Sequence, residues 1–215
     1  MASVSISGDV SGAISIAAPS AAGSGVLTLP TGTDTLVGKA TTDTLTNKSI
    51  AATQLTGTIA ASALPAGSVL QVVNYQTGAV ATGTTIIPLD TTIPQNTEGN
   101  QYMTLAITPK SATSKLLFQI SLFATPSVAD WVTTALFQGA TANAIATTTS
   151  YQATGTGSAP GIFNYFMTSG TTSSTTFTVR AGMGGAGTTT VNGQGGNQRF
   201  NGTLYSSITI TEIAA

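Results

Sequence analysis

The chain has 215 residues, 41% of them hydrophobic, with six basic and seven acidic side chains, a net charge of −1, no cysteine and no histidine. These counts exclude disulfide frameworks, thiolate and imidazole metal sites, and every catalytic scheme that needs a thiol or an imidazole. Nucleic acid is not an expected partner, because Lys39, Lys48, Lys110, Lys115, Arg180 and Arg199 are scattered where phosphate binding needs a clustered basic stripe.

Solubility therefore rests on hydroxyls and amides, threonine above all at about a fifth of the residues. No charge occurs between Trp131 and Val179 or between Ser49 and Leu89. Strands of that composition with open edges would be poorly soluble alone, which points to packed sheets or closure against partner chains. The start of the chain has neither the basic beginning nor the apolar core of a signal peptide, and no apolar run reaches the roughly 20 residues of a membrane span. The expectation is a product made in the cytoplasm and not inserted in a membrane.

In chain order, Val4-Ser5-Ile6, Ile14-Ser15-Ile16 and Leu27-Thr28-Leu29 repeat one apolar-hydroxyl-apolar triplet, separated by Gly, Ala, Pro and Ser turns. Each is too short to hold alone, so either copies stack to bury a shared apolar line or the region is a flexible low-complexity leader. Farther on, Leu45, Ile50, Leu55, Ile59 and Leu64 recur every four or five residues. A short helical bundle, a triple-stranded β-shaft and an extended arm all accommodate that spacing, and Gly57 and Pro65 make a long helix the weakest of the three. Ala66-Gly67 is the expected boundary between residues 1–66 and 67–215.

Beyond it, strands are expected at Val69–Tyr75, Thr85–Leu89, Tyr102–Ile107, Leu116–Phe123, Val132–Gln138, Ala144–Thr149, Ile162–Met167, Thr175–Ala181 and Leu204–Ile213. Leu116, Phe118, Ile120 and Leu122 share one parity opposite Gln119 and Ser121, the pattern of a strand with one face on a core, and Pro109 marks the turn that leads into it. Phe163, Tyr165 and Met167 lie opposite Ile162, Asn164 and Phe166, so this strand carries apolar groups on both faces, as between a core and a subunit interface. In the last strand Leu204, Ile208 and Ile210 share a face. Asn192-Gly193 and Asn201-Gly202 mark tight turns with positive φ. So many short strands without a helix make the chain all-β, with a jelly-roll-like sandwich at its end.

Four stretches resemble a known family. Thr31 to Ile50, with Leu27-Thr28-Leu29-Pro30 ahead of it, resembles a module of tail-fibre and related virion proteins of bacteriophages. Leu55 to Val73 is similar to the connector those proteins place before a C-terminal β-domain. Thr108-Pro109-Lys110-Ser111-Ala112-Thr113-Ser114-Lys115-Leu116-Leu117 and Ser207 to Ala215 resemble that domain's central strand entry and closing strand. The resemblance implies an elongated N-terminal attachment and shaft region before a sandwich head, a homotrimer, and a virion location on tail, baseplate or capsid surface. It also implies other virion proteins bound through the N-terminal arm and host-surface glycan met by the head.

Chemistry has few candidates. Gly182-Met183-Gly184-Gly185-Ala186-Gly187 fits Gly-x-Gly-x-x-Gly, yet the following Thr188 to Gly193 supplies no helix for a pyrophosphate, so the stretch is expected to be a long glycine-rich loop running to Gln198. Asp90, Glu98, Asp130 and Glu212 are isolated and show neither calcium-loop nor paired-carboxylate spacing. No enzyme activity, cofactor or metal is expected. Asp130 beside Trp131, the single tryptophan, suits a sugar ring, with stacking on the indole and hydroxyls on the carboxylate. The candidate receptor contacts are thus Asp130 and Trp131 together with Gly184, Gly185, Asn192 and Gln194 of the glycine-rich loop.

Overall fold

The computed structural model describes residues 3–7, 13–17, 49–51, 53, 56–57 and 59–215. The chain divides into two compact units, Met1–Thr56 and Gly57–Ala215. In the first, β1 (Ser3–Ser7) and β2 (Ala13–Ala17) pair antiparallel, with Val4 opposite Ile16 and Ile6 opposite Ile14. Two of the repeated triplets are thus strands that pair with each other. The triplet at Leu27, the fibre-like string from Thr31 to Lys48 and the positions Leu45 and Leu55 lie outside the described residues.

In the second unit a single 3-10 turn at Ala61–Ala63 precedes thirteen strands. They are β3 (Val69–Thr77), β4 (Ala81–Gly83), β5 (Asn100–Ile107), β6 (Lys115–Leu122), β7 (Ala124–Pro126), β8 (Asp130–Gln138), β9 (Ala146–Gln152), β10 (Gly161–Thr168), β11 (Thr175–Met183), β12 (Thr189–Val191), β13 (Gly193–Gln194), β14 (Asn197–Gln198) and β15 (Ser206–Ile213). Two four-stranded antiparallel sheets dominate, one in the order β10-β6-β15-β3 and the other β5-β11-β8-β9. They face each other as a sandwich.

The core between them is built by period-two burial. Along β6, Leu116, Phe118, Ile120 and Leu122 are buried and Gln119 is exposed, as the alternation requires. Ile208 and Ile210 of β15 continue the same inner face and meet Phe177 and Val179 of β11 and Met103 of β5. Phe118 and Phe177 pack edge to face with centroids 4.6 Å apart, a contact worth about 0.5–1.5 kcal/mol beyond area burial. Tyr102 sits at the margin, and burial raises its hydroxyl to about 12.

The closing strand also sends a carboxylate inward. Glu212 is fully buried on the parity of Ile208 and Ile210. Its Oε1 accepts from Ser114 Oγ at 2.6 Å and from the N–H groups of Lys110 and Ser111 at 2.8 and 3.3 Å, while Oε2 accepts from Gln71 Nε2 at 2.5 Å. Burial alone would raise its pKa. The donors, led by Ser114 and Gln71, more than offset that and hold it below the ordinary value of 4.5. The expected turn after Pro109 is therefore fastened to the last strand by a charge, a role that the isolated position of Glu212 in the sequence did not suggest.

One expected strand is absent. Residues 85–89 do not pair as a strand but begin a strap, 84–99, that lies along β11 and β8 of the second sheet. Ile87 is fully buried with Ala135 and Phe137 in a small second core, against which Ala144 packs. Ile87 N–H donates to Met183 O at 2.9 Å, and Arg180 Nε and Nη2 hold the carbonyls of Glu98 and Gly99 at 2.8 and 2.6 Å. Pro88 and Pro94, which lack the ladder donor, explain why the apolar run straps instead of pairing.

The long glycine-rich loop expected over 181–198 is also replaced by structure. β12 joins β4 and β7 in a three-stranded sheet, β13 and β14 form a small hairpin, and Thr189 to Gly193 are buried. Threonine and valine at 189–191 have the β-propensity that the glycines around them lack. Gly182 answers to packing, since a Cβ there would stand 2.6 Å from Thr85 O and 2.9 Å from Ile87 N, so the strap needs a glycine beneath it.

Candidate functional site at the loop end of the sandwich

Antiparallel pairing sorts the connections of the second unit by end. The entering segment 59–68, the short connections 108–114, 139–145 and 169–174, and residues 214–215 share one end. The connections 123–129, 153–160 and 184–205, with the start of 78–99, gather at the other. The candidate contact residues all fall at this second end.

Asp130 opens β8 and is committed to its neighbours. Oδ1 accepts from the N–H of Trp131 and Oδ2 from the N–H of Gly185, both at 2.7 Å, while Gly184 N–H donates to Trp131 O at 3.0 Å. The carboxylate and the tryptophan carbonyl thus pin the start of the 184–188 loop, and Ser127 Oγ accepts from Thr188 N–H at 2.9 Å to fix its end. Asp130 and Trp131 are thus brought together with Gly184 and Gly185, which the sequence had left as a separate stretch. The expected division of labour changes, because Asp130 shapes the loop that flanks the indole.

Trp131 has a partner that sequence reasoning missed. Tyr151 stands opposite it in the β8–β9 register, with ring centroids 5.2 Å apart and planes inclined at 51°. Trp131 is 38% and Tyr151 52% exposed, so the pair offers an uncharged aromatic ledge to solvent at the loop end. Alternation along Thr147, Thr149 and Tyr151, once β9 is allowed to run to Gln152, is the signal that would have found it.

Asn192 needs correction. Its expected tight-turn backbone is present, with φ of 56°, but its side chain is fully buried. Nδ2 donates to the carbonyls of Thr77 and Ala79 at 2.8 and 3.1 Å, and Oδ1 accepts from Ser206 Oγ at 2.7 Å. Asn192 is a brace inside the loop end and offers nothing to a receptor. Its three satisfied bonds explain a buried amide in so apolar a setting.

Gln194 is half-buried, donating from Nε2 to Thr156 O at 2.7 Å and accepting at Oε1 from Arg199 Nη2 at 3.0 Å. It lines an apolar recess of about 230 Å³ with Phe123, Ser158, Phe200 and Leu204. Phe200 stands 76% exposed over this recess, and Phe200 and Asn201 hold φ of 48° and 50°, a left-handed pair that is costly for a bulky residue. The other acids are held locally. Asp90 Oδ1 accepts from the N–H and hydroxyl of Thr92, which lowers its pKa, and Glu98 Oε2 accepts from Gln95 N–H at 2.9 Å.

No family model and no curated protein matches the chain. Among solved structures, that of the infectious bursal disease virus Gx strain is similar at 14% identity with a TM-score of 0.31, covering 69% of this chain and 39% of that one. The VP2 subviral particle of infectious bursal disease virus is similar at 15% identity with a TM-score of 0.28, with the same coverage. The chain thus spans well under half the length of either.

Proposed function

We propose that the chain is a structural virion protein of a bacteriophage: a homotrimeric tail or baseplate fibre whose sandwich head contacts host-surface glycan. Residues 1–66 serve as attachment arm and shaft in this reading and bind other virion proteins, and 67–215 form the head. The observation that carries it is the asymmetry of the second unit. The chain enters at an end whose connections are all short, and the exposed Trp131–Tyr151 ledge and the Phe200 recess stand at the end that holds the long connection 184–205. An adhesin tip held away from its anchor requires that arrangement. The eight long strands, which cross from one sheet to the other at every step except the β8–β9 hairpin, support a jelly-roll head, and the fibre-like motifs of the sequence support the virion setting.

The mechanism is adhesive and not enzymatic. Aromatic faces stack on sugar rings, main-chain amides and threonine hydroxyls at the rim bond their hydroxyls, and linked copies raise effective concentration enough to make weak contacts last. A second reading, a capsid decoration, head-fibre or baseplate protein without receptor binding, is favoured by one observation: Asp130 and Asn192 spend their polar groups inside the protein. Immunogold labelling of intact virions with antibody to residues 67–215 separates the two. Gold at the tail end supports the fibre, and gold over the capsid favours decoration.

A further inference from the structure

Among the described residues, none straps the outer face of the β10-β6-β15-β3 sheet. Strand register sets its side chains in four rows. They are Ile162–Ser121–Ser207–Gln76, Asn164–Gln119–Thr209–Asn74, Phe166–Leu117–Thr211–Val72 and Thr168–Lys115–Ile213–Val69. Ile162, Phe166, Val72 and Val69 are 65%, 55%, 56% and 57% exposed. An amide-and-hydroxyl row thus runs across the sheet between rows with apolar ends. There is no acid on the face, and its one charge, Lys115, donates from Nζ to Thr168 Oγ1 at 2.7 Å at the entry edge.

We propose that this face is where copies of the chain pack against one another. A face that meets an identical face makes a twofold contact, so the proposal pairs two copies and does not rest on the trimeric reading above. The argument is complementarity. A neutral face gives no steering or pairing to a charged partner, whereas it matches itself, apolar row to apolar row. Asn164, Gln119 and Asn74 each carry a donor and an acceptor, so their row can satisfy an identical row, which is the requirement for burying amides at all. Size agrees as well. Four strands about 4.8 Å apart and eight residues of about 3.3 Å give a plan area on the order of 500 Å². Side-chain relief brings this toward the roughly 800 Å² per partner of a standard interface. The opposite sheet shows how the same problem is met within one chain, where Ile87 covers Ala135 and Phe137.

The absence of cysteine makes the test clean, because a single introduced cysteine can bridge only to another copy. Full-length Asn164→Cys and Asn74→Cys chains, substituted on the row that faces its own copy, should form disulfide-linked pairs under mild oxidation, while Thr147→Cys, exposed on β9, stays unlinked. By light scattering, Phe166→Asp and Asn164→Arg should reduce the mass of the assembly to one chain with an unchanged far-UV circular dichroism spectrum. Asn164 is exposed, so its variant carries the test where Phe166→Asp fails to fold. A wild-type mass of one chain at micromolar concentration overturns the proposal, as does an assembly that survives both charges. Residues 1–56 covering the face from within one chain would give that first result. A wild-type dimer that the charges dissociate keeps the face and overturns the trimer.

Discussion

The two sheets of the sandwich differ in what covers their outer faces. Over β8 and β11 the chain lays its own strap, so β8 is buried on both sides from Val132 to Phe137. Over β6 and β15 none of the described residues lies, and Phe166, Ile162 and Val72 are exposed there. A nearly uncharged sequence has two ways to keep water off a second face, a segment of its own or another molecule. This chain uses the first on one sheet and leaves the other sheet suited to the second.

Breaking the covered face should have the largest effect. Ile87→Ala removes the strap's anchor from its small core and should destabilise the sandwich by about 2–5 kcal/mol, read from urea unfolding. A shift under a few tenths would mean that the strap is not held by burial. Arg180→Ala removes two charge-assisted bonds from the strap's carbonyls and should cost about 1.5–3 kcal/mol in the same assay.

On the open sheet the sensitive element is Glu212. Its folded pKa is lowered, so the stabilisation is present above the ordinary carboxylate pKa near 4.5 and is lost as pH falls through the folded value. Thermal melting should therefore drop between neutral and acid pH, and Glu212→Gln should flatten that dependence. An unchanged profile would show that the buried carboxylate is not what fastens β15 to the 110–114 turn. Phe166→Ala on the open face should sit at the small end. At a dilution where chains are separate it should change unfolding by about 0.5 kcal/mol or less, because an exposed ring loses little when it is truncated.

Much of the sandwich was legible because period-two alternation is a direct record of one-sided burial. Leu116 to Leu122 could be placed on an inner face and Ile208 with Ile210 on one shared face without coordinates, whereas Ile162 with Phe166 were seen only as one of two apolar faces. The strap was not legible, since an apolar pair such as Ile86-Ile87 reads as a strand wherever it buries itself, and only the topology puts it on the back of a sheet. Glu212 was passed over for a similar reason. A lone acid in a strand looks solvated until four donors from Gln71 and the 110–114 turn are found around it. Of the contact residues, Asp130 and Trp131 are neighbours in sequence, but their bonds to Gly184 and Gly185 are set by strand register and were not legible. Tyr151 was missed because its partnership is set by strand register, and Asn192 was misplaced because a left-handed backbone says nothing about where its amide points.

The central claim is that the Trp131–Tyr151 ledge meets host glycan, and the protein carries its own reporter, because Trp131 is the only tryptophan. Full-length protein titrated with polysaccharide extracted from the host envelope should show a saturable change in tryptophan emission, and Tyr151→Ala should weaken the titration. Emission that stays constant while the protein demonstrably retains the polysaccharide would place the contact elsewhere and contradict the account.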